Sequence, residues 1–263
     1  MSGFDTAWLD LREPADAAAR DAGLLAAAAS HLDAVGGDVL DLGCGTGATF
    51  RALAPVLERR LRWRLLDNDP ALLDEARRRG SGETELVAIQ ADLGDVEALL
   101  LDGVGLVTAS ALLDLVSERW IERLAQRLVH AGVGFYAALN YDGSMAWEEP
   151  HPLDATVLRA FNAHQATDKG LGPALGPAAA RTAGDSFRRL GCAVAVASSP
   201  WRLGPAELEL QRRLIAGITD AVVEMGVAPI AADGWRAARM AAASRSGCTV
   251  GHDDLLVLPV SRP

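Results

Sequence analysis

Short apolar runs alternate with longer stretches of helical polarity through the first half of the chain. The runs at 38–42, 63–67, 85–91, 105–110 and 133–140 are four to eight residues long and rich in Val, Leu and Ala, the pattern of strands buried on both faces. The stretches between them predict helices at 15–34, 48–60, 70–79 and 118–130, with a short one at 95–101. Pro14 is expected in the first turn of the first helix, where its missing N–H costs nothing. Alternation of this kind implies a parallel sheet with helices on both faces.

From Tyr141 to about Pro177 the pattern breaks into Gly, Pro and polar residues around one helix at 154–165. So long a connection is characteristically functional. The alternation then resumes with a helix to Leu190, a strand at 193–198, two helices within 204–247 and a closing strand at 254–260. The expected organisation is one domain. It comprises an N-terminal lid or helix (1–36), a core (37–140), an insertion expected to form most of a substrate pocket (141–177) and a C-terminal part (178–263) that holds a helical insertion (204–247).

The glycine cluster Asp41-Leu42-Gly43-Cys44-Gly45-Thr46-Gly47 lies between a strand and a helix. Glycines there allow a tight turn and close approach of a ligand, and the free N–H groups at the helix start can hold a polar group. Gly43, Gly45 and Ala48 also satisfy the looser dinucleotide pattern, so a nicotinamide-dependent oxidoreductase is one alternative. With the acid two residues before the first glycine, the segment resembles motif I of the class I S-adenosylmethionine-dependent methyltransferases. That resemblance covers about 38–140. It implies a Rossmann-like, doubly wound α/β fold: seven strands, mostly parallel, with an antiparallel last strand. It also implies S-adenosylmethionine as cofactor and S-adenosylhomocysteine as product.

In that family the acid at Asp41 helps place the amino-acid end of the cofactor, directly or through water, and the loop Gly43 to Gly47, with Cys44 and Thr46, surrounds it. Asp67 ends the next strand, where a carboxylate can accept from both ribose hydroxyls. Asn68 is expected beside the adenine, and Asp69, before Pro70, as a helix N-cap. The resemblance brings Asp92 and Leu93 to the adenine, although Asp92 also suits a simple strand end. Ser110, after the fourth strand, is expected to line the methionine part. Arg12 and Arg20, in the N-terminal segment, are candidates for the donor carboxylate.

The candidates for proton transfer are Asp114, Tyr141 and His164. An acid flanked by Leu113 and Leu115 is costly to bury without a purpose, yet Asp114 could equally cap the helix that follows. Tyr141 and His164 each have a packing role as the alternative. Lys169, the sole lysine, is either a solvated loop charge or an anchor for a carboxylate or phosphate.

A formal net charge of −10 argues against nucleic acid or an anionic membrane as partner and leaves a small-molecule substrate. Cys44, Cys192 and Cys248 are odd in number and widely spaced, so neither a disulfide framework nor a metal cluster is expected. With no basic-then-apolar leader at Met1 to Asp5 and no long apolar run, the expected location is cytoplasmic. A methyltransferase-like protein that has lost activity and serves as a scaffold is the remaining alternative. The Asn/Asp-Pro-Pro-aromatic motif of amino-methylating DNA enzymes is replaced here by Ser110-Ala111-Leu112-Leu113.

Overall fold

A computed structural model describes residues 5–80 and 84–260. The expectation about a leader concerns residues 1–4 and lies outside the described residues. Five parallel strands form first: β1 (Asp38–Leu42), β2 (Trp63–Asp67), β3 (Leu86–Gln90), β4 (Val104–Ser110) and β5 (Gly134–Trp147). β6 (Ala193–Ser198), β7 (Trp201–Leu203) and β8 (Cys248–Leu258) complete an eight-stranded sheet of order β3-β2-β1-β4-β5-β8-β6, with β7 paired to β8. β8 runs antiparallel to both β5 and β6. The α/β class, the mostly parallel sheet and the antiparallel last strand are as expected. The extra strand β7 is only three residues long, too short to register as a period.

Period-two alternation sorts the strand side chains onto two cores. On one face Leu40, Leu42, Val107 and Phe135 pack under α5 (Glu118–Ala131) and α7 (Ala179–Arg189). On the other, Val39, Trp63, Leu65 and Leu106 pack under α2 (Ala22–Val35), α3 (Ala48–Leu53) and α4 (Pro70–Arg79). Trp63 is fully buried, edge-on to Phe50 at 5.1 Å. Burying a large apolar side chain stabilises by roughly 1.5–3 kcal/mol.

Several expected boundaries move. The helix expected over 15–34 is two: α1 (Thr6–Ala19) and α2, broken at Arg20, whose backbone is extended, and restarted by Asp21, which caps Leu24 N at 2.8 Å. Pro14 therefore lies inside α1 rather than in its first turn; Asp5, accepting from Trp8 N at 2.6 Å, starts that helix. α3 is shorter than expected and gives way at Ala54–Val56 to a single tight turn containing Pro55. The largest change is in β5, which runs seven residues past Asn140. Met145, Ala146 and Trp147 pair with Val250, Thr249 and Cys248 of β8, which itself begins six residues early. The Gly and Ser residues there mask a strand whose partner lies a hundred residues away.

This extension carries a helical cap. α6 (Asp154–Gln165), α8 (Leu208–Glu224) and α9 (Pro229–Ala242) pack on it through Val157, Ile215, Ile218, Val222 and Trp235. Asp154 accepts from Trp235 Nε1 at 2.9 Å and is paired with Arg239, whose guanidinium lies 4.6 Å over the Trp147 ring.

Candidate functional site

The loops after β1, β2, β3 and β4 converge at the carboxyl end of the parallel strands, where open α/β sheets bind ligands. Gly43, Gly45 and Gly47 all have positive φ (61°, 52° and 85°), a region open to glycine at little cost. Gly45 also meets the lid: a Cβ there would stand 3.3 Å from Leu9 Cδ1 of α1. α1 is fastened over the loop by Glu13, which accepts from Arg51 at 2.6 and 2.7 Å, and by Asp10, paired with Arg79 of α4.

A cavity of about 430 Å³ opens here, and it brings together Arg12, Gly43, Gly45, Asp67, Asn68, Asp92, Leu93 and Ser110. Asp67 Oδ2 accepts from Gly45 N at 2.9 Å and Oδ1 from Asp69 N at 3.0 Å. Each oxygen has a second lone pair, so the carboxylate can still accept from a diol. Asp69 caps α4, accepting from Ala71 N at 2.8 Å, as expected. Asp92 combines both of its expected roles: it lines the cavity, and its Oδ1 closes a turn on Gly94 N at 2.8 Å.

The remaining expected cofactor residues stand apart from this cavity. Cys44 and Thr46 line only a small side crevice. Burial pushes the Cys44 thiol far above its ordinary range, and Thr46 hydrogen-bonds Arg51. Gly47 turns the chain into α3 and lines none of these cavities. Asp41 is fully buried behind the loop, accepting from Thr108 Oγ1 at 2.7 Å, and does not line the cavity. Its Oδ2 has no partner, and desolvation pushes its pKa up to about 7 against the Thr108 hydrogen bond and the nearby Arg20. Arg20 donates to Ser110 Oγ at 2.9 Å from beneath the site.

A second cavity of about 690 Å³ adjoins the first, sharing Arg12, Ala111, Leu115 and Lys169 with it. It lies between α1, α6, α8 and the extended part of β5 and β8. Ala111 (φ 49°) and Leu139 (φ 58°), the described non-glycine residues with positive φ, both face it. Backbone strain of this kind concentrates at functional sites.

All three expected proton-transfer residues line this second cavity. Asp114 lies in a single helical turn (Leu113–Leu115), buried, with Oδ1 unpartnered. Desolvation raises its pKa to about 6, opposed by its own backbone and by Arg12. It makes no cap to α5, whose N-cap is Ser117. Tyr141 is a strand residue rather than a loop residue, donating to Asn162 Oδ1 at 2.8 Å. Burial and the nearby Asp142 push the phenol pKa upward, the wrong direction for a base. His164 sits at the rim, with Nε2 3.1 Å from Glu224 Oε2 and Nδ1 3.4 Å from Lys169 Nζ.

Sequence reasoning missed His252, Trp201 and Trp8, and the face of α8 that carries Arg213 and Leu214. His252 is buried against Trp201 (5.1 Å) and Tyr141 (6.2 Å), and desolvation with the nearby Arg12 lowers its pKa to about 3. Alternation along 248–258 marks which side chains share a face, but not which face meets a cavity.

Residues 39–132 match the family model described as a methyltransferase domain, a span that includes the glycine loop, Asp67, Asp92, Ser110 and Asp114. Over that span the chain is similar to the methyltransferase domains that its glycine loop resembles. No curated protein matches the sequence. The chain is similar in fold to a cyclopropane-fatty-acyl-phospholipid synthase-like protein from Lactobacillus casei, with TM-score 0.54 and 13% identity over 94% of this chain and 99% of that one. A cyclopropane synthase from Mycobacterium tuberculosis aligns at TM-score 0.48 and 9% identity over 85% and 78%. Among the described residues no group of acidic, His or Cys side chains could hold a metal ion, and no helix is long and apolar enough to cross a membrane.

Proposed function

We propose that this chain is a methyltransferase that acts on a small molecule held in the second cavity, in the cytoplasm and without a metal. The observation that carries the reading is the meeting of two cavities at Arg12, Ala111, Leu115 and Lys169. One has the features of a cofactor site; the other lies beside the lid α1 and the helical cap, with a largely apolar wall that suits a small molecule.

The residues present fit S-adenosylmethionine. Gly43 and Gly45 let the cofactor approach the backbone, Asp67 has lone pairs free for the ribose, and Asp92 and Leu93 border the adenine end. Asp67, Asp69 and Asp92 all line this cavity, which suits a cationic sulfonium and opposes the pyrophosphate of a nicotinamide dinucleotide. When bound, the cofactor supplies an electrophilic methyl group. The protein's part is alignment and exclusion of water: α1 covers the glycine loop, and the junction at Ala111 and Leu115 holds the two ligands in line. Asp114 is the proposed general base, since its unpartnered Oδ1 can take the proton of an acceptor hydroxyl or ammonium. Tyr141 and His164, with their polar atoms engaged, are assigned to shaping the cavity.

The test is calorimetric titration with S-adenosylhomocysteine. Binding is expected, and Asp67→Ala should weaken it by about 10–100-fold, the loss of one or two hydrogen bonds to a charged acceptor. Failure of the wild-type protein to bind, or an unchanged affinity in the variant, overturns the reading. Donor binding without labelled product from any metabolite extract would favour a scaffold.

A further inference from the structure

Once ion pairs are assigned, the charges lining the second cavity reduce to two. Arg12 is held by Asp16 through hydrogen bonds of 2.8 and 3.2 Å and lies 5.0 Å over the Trp201 ring. Arg213 faces Asp5 at 3.5 Å. Asp114 keeps a bare Oδ1, and Lys169 has no ion pair within 4 Å among the described residues. Glu224, whose charge does reach Lys169, is engaged by His164 Nε2.

The ammonium of Lys169 is oriented rather than free. It donates to Thr167 Oγ1 at 2.9 Å and approaches His164 Nδ1 at 3.4 Å. With Nε2–H of His164 directed at Glu224, Nδ1 is the accepting nitrogen. A lysine has three N–H donors, and two are accounted for. The third is available where the two cavities meet. In a chain of net charge −10 with a single lysine, this is a cation kept at a site that can use it. Most of the remaining wall is apolar, with Trp8, Met145, Phe161, Trp201, Leu214 and Ile218 beside Tyr141, Gln165 and His252. One point charge on a flexible stem suits a monoanion; a dianionic phosphate would call for more donors.

We propose that the methyl acceptor is an amphipathic carboxylate, its apolar body among these side chains, its carboxylate on Lys169 and its methyl-accepting atom beside Asp114. This rests on the second cavity being the acceptor site.

The test uses a pair of probes with one body and different charge, 1-naphthylacetate and 1-naphthylacetamide. Each is titrated calorimetrically into the full-length protein, with and without saturating S-adenosylhomocysteine. The acetate should bind about tenfold more tightly than the amide. Lys169→Met should abolish that difference while leaving the amide and S-adenosylhomocysteine affinities unchanged, and Lys169→Arg should restore it. Equal binding of the two probes, binding of neither, or a difference that survives Lys169→Met overturns the proposal. So does a Lys169→Met variant that loses S-adenosylhomocysteine instead, since the lysine would then serve the cofactor. Absence of S-adenosylhomocysteine binding to the wild-type protein is a separate result, and it removes the methyltransferase reading itself.

Discussion

Asp114 faces the second cavity with one carboxylate oxygen bare, and burial raises its pKa to about 6. A base must be unprotonated, so kcat/KM is expected to rise with pH and level off above about 6. Asp114→Asn should lower the plateau by about 100-fold or more and remove that limb, the scale of a lost general base. A pH–rate profile of both proteins checks this; an unchanged limb in the variant shows that another group titrates. Tyr141 illustrates how little residue type alone decides. Its hydroxyl is a plausible base on paper, but in the fold it donates a hydrogen bond to Asn162 Oδ1. Asp41 is the penultimate residue of β1 and Asp67 the last of β2. Burial turns one toward the protein interior and leaves the other on the cavity.

At the scale of elements, α1 is a lid held by ion pairs as well as by apolar contact, Trp8 and Leu11 packing on the cluster of Tyr141, Trp201 and Leu203. Glu13 and Arg51 form a two-point ion pair, side chains each a quarter exposed, and Leu9 rests on Gly45. Glu13→Gln should raise amide hydrogen exchange across 6–19 and weaken S-adenosylhomocysteine by a few-fold, consistent with a partly exposed pair worth about 1 kcal/mol. Unchanged exchange in that segment would show that apolar packing alone holds the lid. The break between α1 and α2 is tied to the interior strand β8. Asp254, fully buried in β8, accepts from Asp21 N (3.0 Å), Leu139 N (2.8 Å), Tyr136 OH (3.1 Å) and Ser199 Oγ (2.6 Å). It thus holds the strained Leu139 and the lid's hinge with one carboxylate. Asp254→Ala leaves these donors buried and unpaired, and equilibrium denaturation should show a loss of about 3 kcal/mol or more.

Across the whole molecule, buried titratable groups set opposing limits on stability. Asp41 carries more protons folded than unfolded between its ordinary 3.8 and about 7, so its contribution to stability falls as pH rises through that window. Asp114 acts in the same direction up to about 6. His252, lowered to about 3, binds fewer protons folded than unfolded below 6.5, so its contribution falls as pH drops. Asp41→Asn is therefore expected to be more stabilising at pH 8 than at pH 4, while keeping the acceptor for Thr108. Thermal unfolding at the two pH values checks this; a gain of the same size at both would mean that burial does not raise the Asp41 pKa.

The parallel core, the glycine turn and the acids ending β2 and β3 were legible in the chain. They depend on local rules: the two-residue period of a strand, the 3.6-residue period of a helix, and the conformational freedom of Gly43 and Gly45. The first cavity follows from them because loops after parallel strands must gather at one end of the sheet. Of the second cavity only the 141–177 wall was legible, as an expected pocket insertion; its remaining walls were not. It needs Tyr141–Trp147 to be a strand, which only the distant 248–252 segment makes so, and it needs α1, α6 and α8 to close over it. Which face of α8 lines a cavity, whether Asp114 caps a helix or keeps an oxygen bare, and where Lys169 finds its neighbours are settled by packing between segments up to two hundred residues apart. Periodicity along the chain specifies which side chains share a face; only the fold specifies what that face meets.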